Sequence, residues 1–338
     1  MSSYQLFDLP NEVILKILSF LNIKELLICG QVSGRLRAIS NDESLWLKLN
    51  LYQRQVPYDF IKKAVENGCQ YLSLELCDTN VTEKSESPFN LKYLNISNSK
   101  PRLLKLIKNC SSLQRLSVAH HYLDTDDIQN ICQNGQTLQV LNMSHCSSIA
   151  HPQMEHRKQT QLLQVTYCAH LTELNIQPGL DLVAIIIQAM VENLTPTILK
   201  VSLAFQKNLK DEHVKKLVKR CNKITHLNLR HTRITNDSLQ SIVQHLNTSL
   251  EELDVKDTKI GKDAFFFDPP YYAFLQLKSV ATLKTLACSL DADSIENLKL
   301  QLPHVRISID FLDIARPVGK DLIWEIRAKQ QDLFSKVE

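Results

Sequence analysis

Two hydrophobic rhythms divide the chain. In the first fifty residues the apolar positions are Leu9, Val13, Ile14, Ile17, Leu18 and Leu21, then Ile23, Leu26, Leu27, Val32, Leu36, Ile39, Leu45, Trp46 and Leu49. Steps of three and four predict short amphipathic helices. One starts at Pro10, which a first helical turn tolerates. Asn22 is the expected cap of a second, and "NDESLW" opens another. From residue 69 the rhythm becomes L-x-x-L-x-L: "CQYLSL", "LKYLNI", "LQRLSV", "LQVLNM", "LTELNI", "ILKVSL", "ITHLNL", "LEELDV", "LKTLAC" and "LPHVRI", starting at Cys69, Leu91, Leu113, Leu138, Leu171, Ile198, Ile224, Leu250, Leu283 and Leu302. Six of the nine intervals lie between 22 and 27 residues, two are 33 and the last is 19.

A period of 20 to 29 residues is that of leucine-rich repeats. In "HLNL" the leucines face inward, while His226, Asn228 and Arg230 take the other side of a short strand. Between strands lie helical stretches such as "DEHVKKLVKRC", with Val214, Leu217 and Val218 on one face and Asp211 as the expected cap. A strand plus a wider helix per repeat places the strands inside a curve. The expected fold is therefore an α/β leucine-rich-repeat solenoid, a horseshoe preceded by three short helices. Its concave face carries Asn175, Lys200, Ser202, His226, Asn228, Arg230, Asp254 and Lys256, a polar mixture of both signs suited to binding a protein. The expected division is 7–50 for the helical module, 51–68 as a linker, 69–310 as repeats and 311–338 as a tail.

The net charge of +3 argues for neither nucleic acid nor a membrane surface, and no apolar run reaches the ~18 residues of a membrane helix. The first residues have no basic region or cleavage pattern, so no secretory leader is expected. Nine cysteines, an odd number without C-x-x-C, several just before a leucine run, read as small buried residues in reducing surroundings. Seven glycines include neither G-x-G-x-x-G nor a Walker A run. "HPQMEH" is one residue too long for the H-x-x-E-H zinc motif, and Pro152 interrupts it. No cofactor, metal site or catalytic set is expected.

Three helices in under 50 residues are too small a core for so many apolar side chains. The stretch "LPNEVILKILSFL…ELL…VS…LRAISNDESLW" resembles the F-box, the module that docks on the Skp-type adaptor of cullin–RING ubiquitin ligases. "LPHVRISIDFLDIARPVG…IWEIRAK" is similar to the C-terminal part of F-box proteins with leucine-rich repeats. Leu36 and Ser33 depart from the aromatic and the cysteine that many F-boxes carry there. The resemblance implies adaptor binding through Leu9, Pro10, Glu12, Val13, Ile14, Ile17, Leu18, Leu21, Leu26, Leu27 and Trp46, and through the adaptor a cullin and a RING subunit. It implies a non-catalytic receptor for phosphorylated cell-cycle substrates such as cyclin-dependent kinase inhibitors, acting in nucleus and cytoplasm. It further implies a tail folded back over the concave face, with Arg316 and Trp324 helping to hold a cyclin-dependent kinase regulatory subunit. Gln206 and Asp257 stand where this family would place basic side chains. Two segments exceed the repeat: "HPQMEHRKQTQLLQV", expected as an extended helix, and "DAFFFDPPYYAF", a partner-contact loop or a flap on the core. The rival reading is a non-ligase repeat scaffold or inhibitor whose opening helices are only a cap.

Overall fold

The computed structural model describes residues 9–79, 88–146, 164–166, 168–176, 182, 184–262 and 269–308. Four short helices open it: α1 Asn11–Leu18, α2 Ile23–Val32, α3 Gly34–Ser40 and α4 Glu43–Trp46. Side chains set their ends. Asn22 Oδ1 accepts from the Lys24 and Glu25 amides while Glu25 Oε2 accepts from the Asn22 amide, a reciprocal cap. Ser33 caps α3 and Asp42 caps α4.

Behind them stands an 11-stranded, wholly parallel sheet in sequence order. Its strands are β1 Lys48–Asn50, β2 Tyr71–Ser73, β3 Tyr93–Asn95, β4 Arg115–Ser117, β5 Val140–Asn142, β6 Glu173–Asn175, β7 Lys200–Ser202, β8 His226–Asn228, β9 Glu252–Asp254, β10 Thr285–Ala287 and β11 Arg306–Ser308. The register aligns Leu49, Leu72, Leu94, Leu116, Leu141, Leu174, Val201, Leu227, Leu253, Leu286 and Ile307 in one row. The outer layer comprises α5 Tyr58–Glu66, α6 Thr125–Gln133, α7 Ala184–Asn193, α8 Asp211–Arg220, α9 Asn236–Leu246, α10 Ala292–Gln301 and the 3-10 segments Pro101–Asn109 and Pro270–Ser279. One continuous core runs from Trp46 to Val305. No described helix is long and apolar enough to cross a membrane.

The fold is the expected horseshoe, with three corrections. The first concerns where the sheet begins: "WLKLNL" is an eleventh copy of the repeat, with Trp46 in the first leucine position and β1 following it. The stretch 51–68 is therefore repeat and not linker, and α5 within it buries Ile61 and Ala64. Secondly, the last copy is displaced by two residues from the frame of "LPHVRI". Leu302 closes α10, donating its amide to the Leu298 carbonyl, and Pro303 disfavours further helix, so the strand starts at Arg306. Thirdly, α8 is preceded by Lys210 at the cap position. Asp211 instead reaches the next helix, accepting from the Thr235 amide (2.8 Å) and hydroxyl (2.9 Å) and from the Ser238 hydroxyl. Of the two readings of the aromatic segment, its described end, which opens the 3-10 stretch Pro270–Ser279, fits the flap, since Phe274 is buried in the core. The "HPQMEHRKQTQLLQV" segment lies almost wholly outside the described residues, as do 263–268 and the whole of 311–338, with Arg316 and Trp324.

Trp46 couples the two rhythms. It is 1% exposed, donates from Nε1 to the Ser40 carbonyl at 2.7 Å, and lies 6.1 Å from the Phe60 ring. Its removal would open a cavity at the joint. Trp46→Ala should cost about 3–5 kcal/mol of unfolding free energy, read from the midpoint shift in urea at constant slope. A cost below about 1 kcal/mol would show that the helices and the repeats fold independently of this contact.

Candidate protein-docking surfaces

Ile14, Leu18, Leu26, Leu36 and Ile39 form the small core of the helical module, and Ile23 and Leu45 pack against both this core and that of the repeats. What remains outside follows from helical spacing. On α1 the flank away from Ile14 and Leu18 carries exposed Pro10, Val13 and Ile17, and Phe20 just beyond its end is 68% exposed. On α2, Ile28 is 52% and Val32 64% exposed. These positions recur at three- and four-residue steps, so each helix presents an apolar stripe to solvent.

The residues predicted to bind the adaptor thus divide in two. Pro10, Glu12, Val13 and Ile17 are exposed, and Leu9, Leu21 and Leu27 are half-buried. Ile14, Leu18, Leu26 and Trp46 are buried and belong to the cores, because the alternate positions of an amphipathic helix cannot all face one way. Phe20, Ile28 and Val32 were missed. Phe20 had a signal, three residues past Ile17 on the same stripe, whereas on α2 the predicted Leu26 and Leu27 turn inward and give none for Ile28 and Val32.

The scaffold beneath the stripes is specific. Arg35 donates from Nε to Asn11 Oδ1 (2.9 Å) and from Nη2 to the Leu9 carbonyl (2.7 Å), fixing the entry to α1. Gly30 is required by closeness, since a Cβ there would sit 2.8 Å from Ser40 Oγ. Lys16 Nζ lies 5.5 Å from the Phe20 ring centroid and holds that ring against its helix.

On the sheet the predicted concave-face residues separate as well. Lys200, His226 and Lys256 are half-buried, whereas Asn175, Ser202, Asn228, Arg230 and Asp254 are buried. Most of the buried amides and carboxylates serve the backbone. Asn95, Asn142, Asn228 and Asp254 each accept, through Oδ1, the amide two residues on, at 3.0–3.1 Å. This turn leads each strand to a residue in the left-handed region: Gln53, Leu76, Asn98, His120, His145, Phe205, His231 and Asp257, all with φ between 55° and 65°. Every one is the eighth residue of its repeat. None is glycine. The rings in this row stack, His120 on His145 at 4.3 Å and Phe205 against His231 at 4.9 Å.

The charged residues are paired across neighbouring strands and turns. Lys200 lies 3.2 Å from Glu173, His226 3.8 Å from Glu252 and Arg230 3.3 Å from Asp257. Burial would raise the Asp257 carboxyl, but Ser289, Arg230 and His231 together hold it below the ordinary carboxylate range. Gln206 leaves the face altogether: it is buried, accepting from the Leu182 amide and donating to the Ile176 carbonyl. Burial pushes the thiols up, to about 12 for Cys69, Cys110, Cys132, Cys146 and Cys288 and about 11 for Cys168 and Cys221. They are protonated packing groups and not nucleophiles. No group of three or more His, Cys, Asp or Glu side chains converges as a metal site among the described residues.

Asp254 is the exception to the pairing. It is 1% exposed, its Oδ2 has no hydrogen-bond partner among the described residues, and burial pushes its carboxyl up to about 6, against the opposing pull of the Lys256 amide and of Arg230. A raised folded pKa makes ionisation a cost that is absent well below pH 4 and complete above about pH 6. Asp254→Asn keeps the Oδ1 acceptor and should stabilise the protein by on the order of 1–3 kcal/mol at pH 8, with the gain vanishing near pH 4. Thermal unfolding of both proteins across that range checks the sign.

Residues 60–331 match the SKP2 LRR domain family and residues 6–52 the F-box-like family. A 51-residue stretch, 14% of this chain, is 47% identical to F-box protein dre-1 of Caenorhabditis elegans, and spans only 5% of that protein's length. The solved structure of the yeast Rad7 and Elc1 complex aligns over 89% of this chain and 84% of that chain, with a TM-score of 0.54 and 16% identity, a likeness of fold alone. The internalin inlF of Listeria monocytogenes aligns over 74% of this chain and 70% of that chain at 14% identity, with a TM-score of only 0.46. With four-fifths of its length inside one family and an F-box ahead of it, the chain belongs to the F-box proteins that carry an SKP2-type leucine-rich-repeat domain.

Proposed function

We propose that this chain is the substrate-recognition subunit of an SCF-type cullin–RING ubiquitin ligase. The F-box docks on a Skp-type adaptor, which brings the cullin and RING subunits, and the concave side of the repeats holds a protein substrate. The observation that carries this reading is the pair of bare apolar stripes, Val13 and Ile17 on one helix with Phe20 just past its end and Ile28 and Val32 on the next, on a module otherwise well packed. Burying each is worth about 1.5–3 kcal/mol, enough in sum to outweigh the freedom lost on association. The family's receptors are non-catalytic, and the protonated thiols fit that role. Catalysis here is proximity: a lysine of the substrate is kept at high local concentration beside the ubiquitin thioester of another subunit.

The substrates proposed are phosphorylated cell-cycle proteins such as cyclin-dependent kinase inhibitors, taken with a cyclin-dependent kinase regulatory subunit as co-receptor, in nucleus and cytoplasm. Electrostatics sets a condition on this binding. A phosphate reaching Lys200 or Arg230 must displace Glu173 or Asp257, and its second negative charge favours that exchange.

Co-expression with the adaptor tests the docking. Phe20→Ser, Ile28→Ser and Val32→Ser together touch only exposed positions, so the melting temperature should hold while adaptor retention falls at least roughly tenfold. Failure of the wild type to retain the adaptor, or equal retention by the triple variant, refutes the docking. Co-purification of a cullin that depends on the same three residues extends the result to the ligase.

A further inference from the structure

A cavity of about 380 Å³ opens where the first three repeats meet. Gln55, Val56, Pro57, Asp78, Thr79 and Arg102 line it. Its rim is rigid. Gln55 and Asp78 form a parallel bridge, the Val56 amide donates to the Asp78 carbonyl at 2.8 Å, and the Asp78 amide donates to the Arg54 carbonyl at 3.0 Å. Arg102 enters from the third repeat, in the first turn of Pro101–Asn109, a segment anchored by the Lys100 amide on the Cys77 carbonyl.

One feature of the lining is unexplained by the fold. Thr79 is 6% exposed, yet its hydroxyl has no hydrogen-bond partner among the described residues. A buried hydroxyl left unsatisfied costs about 1–3 kcal/mol. Arg102, for its part, makes no hydrogen bond or ion pair among the described residues, although Asp78 lines the same cavity. Asp78 is occupied otherwise: its Oδ1 accepts the Thr79 amide at 2.8 Å. The cavity therefore offers one free guanidinium, one orphan hydroxyl, an exposed amide and one acceptor carboxylate, over the apolar surface of Val56 and Pro57.

We propose that this cavity binds a small hydroxylated molecule with a single anionic head, a carboxylate or a phosphate monoester. The head pairs with Arg102, whose planar fork matches either group. Hydroxyls of the ligand donate to Asp78 and bond to Thr79 and Gln55, and its carbon skeleton lies on Val56 and Pro57. One cation beside one carboxylate sets the limit of charge, so a second anionic group is repelled by Asp78. The volume is that of an ordinary small-ligand site. The site stands apart from the F-box stripes and does not depend on adaptor docking.

Titration calorimetry on the full chain, with gluconate, glucose 6-phosphate, fructose 1,6-bisphosphate and uncharged sorbitol as probes, tests it. Saturable binding of gluconate or glucose 6-phosphate is expected, and which of the two binds tighter identifies the head. Sorbitol should bind at least roughly tenfold more weakly, and the bisphosphate no better than the monophosphate. Arg102→Ala, an exposed substitution, should weaken binding roughly tenfold or more with unchanged thermal unfolding in the absence of probe, and Thr79→Val, which keeps the shape, should weaken it several-fold while the probe-free protein unfolds at a higher temperature, since an unsatisfied hydroxyl is removed. The proposal is overturned if neither acid saturates by about 10 mM, if Arg102→Ala binds as the wild type does, or if sorbitol binds equally.

Discussion

The structure depends on a hydrogen-bonded ladder that no single repeat can form. Each three-residue strand is too short to stand alone, and each repeat leaves its leucines uncovered until a neighbour stacks on it. The ladder continues past the strands into the turns. The amides of Gln53, Leu76, Asn98, His120, Phe205 and His231 each donate to the carbonyl of the next repeat at 2.8–3.1 Å. Left-handed backbone costs about 1–2 kcal/mol for each non-glycine residue. Those bonds, and the Asn and Asp side chains that shape the turn, offset it. The result is a rim that displays full side chains, imidazoles and a phenyl ring included, where glycine would have displayed nothing.

The same continuity explains the joint with the F-box. Trp46 ends α4 and also occupies the first core position of the first repeat, so no flexible segment separates the two modules. Gly68 marks how closely they approach: its φ is +92°, and a Cβ there would lie 2.7 Å from Glu43 Cβ. Asn67 donates to Asn41 across the joint at 3.3 Å, and the Gln70 and Tyr71 amides both donate to the Leu47 carbonyl. The F-box core is small, with five fully buried apolar residues, and it leans on the solenoid through Ile23 and Leu45. What the solenoid cannot reach is the far side of α1 and α2, and that is where the apolar stripes lie bare.

The concave face has a division of labour. Its small polar residues hold the turns, while its long charged residues lie in pairs across neighbouring strands. A ligand there meets a surface already neutral in most places, so recognition depends on exchange of partners more than on attraction to an open charge.

The period of the leucines determined the solenoid, its parallel order and the strand positions in all but the last of the ten copies first recognised, since that spacing has no other way to bury its apolar side chains. The F-box was legible by its resemblance to a known family, from the Leu9-Pro10 pair through Trp46. Only the tertiary structure decided the rest. A list of apolar residues on a helix does not say which flank turns inward, so Ile14 and Leu18 were grouped with Val13 and Ile17, and Phe20, Ile28 and Val32 were passed over. Trp46 looked like the end of one pattern and proved to be the start of the next, because an indole fills a leucine's place when its Nε1 finds a carbonyl. The Thr79 and Arg102 cavity had no sequence signature at all. Its lining comes from three repeats, and residues that meet only through stacking carry no common spacing in the chain.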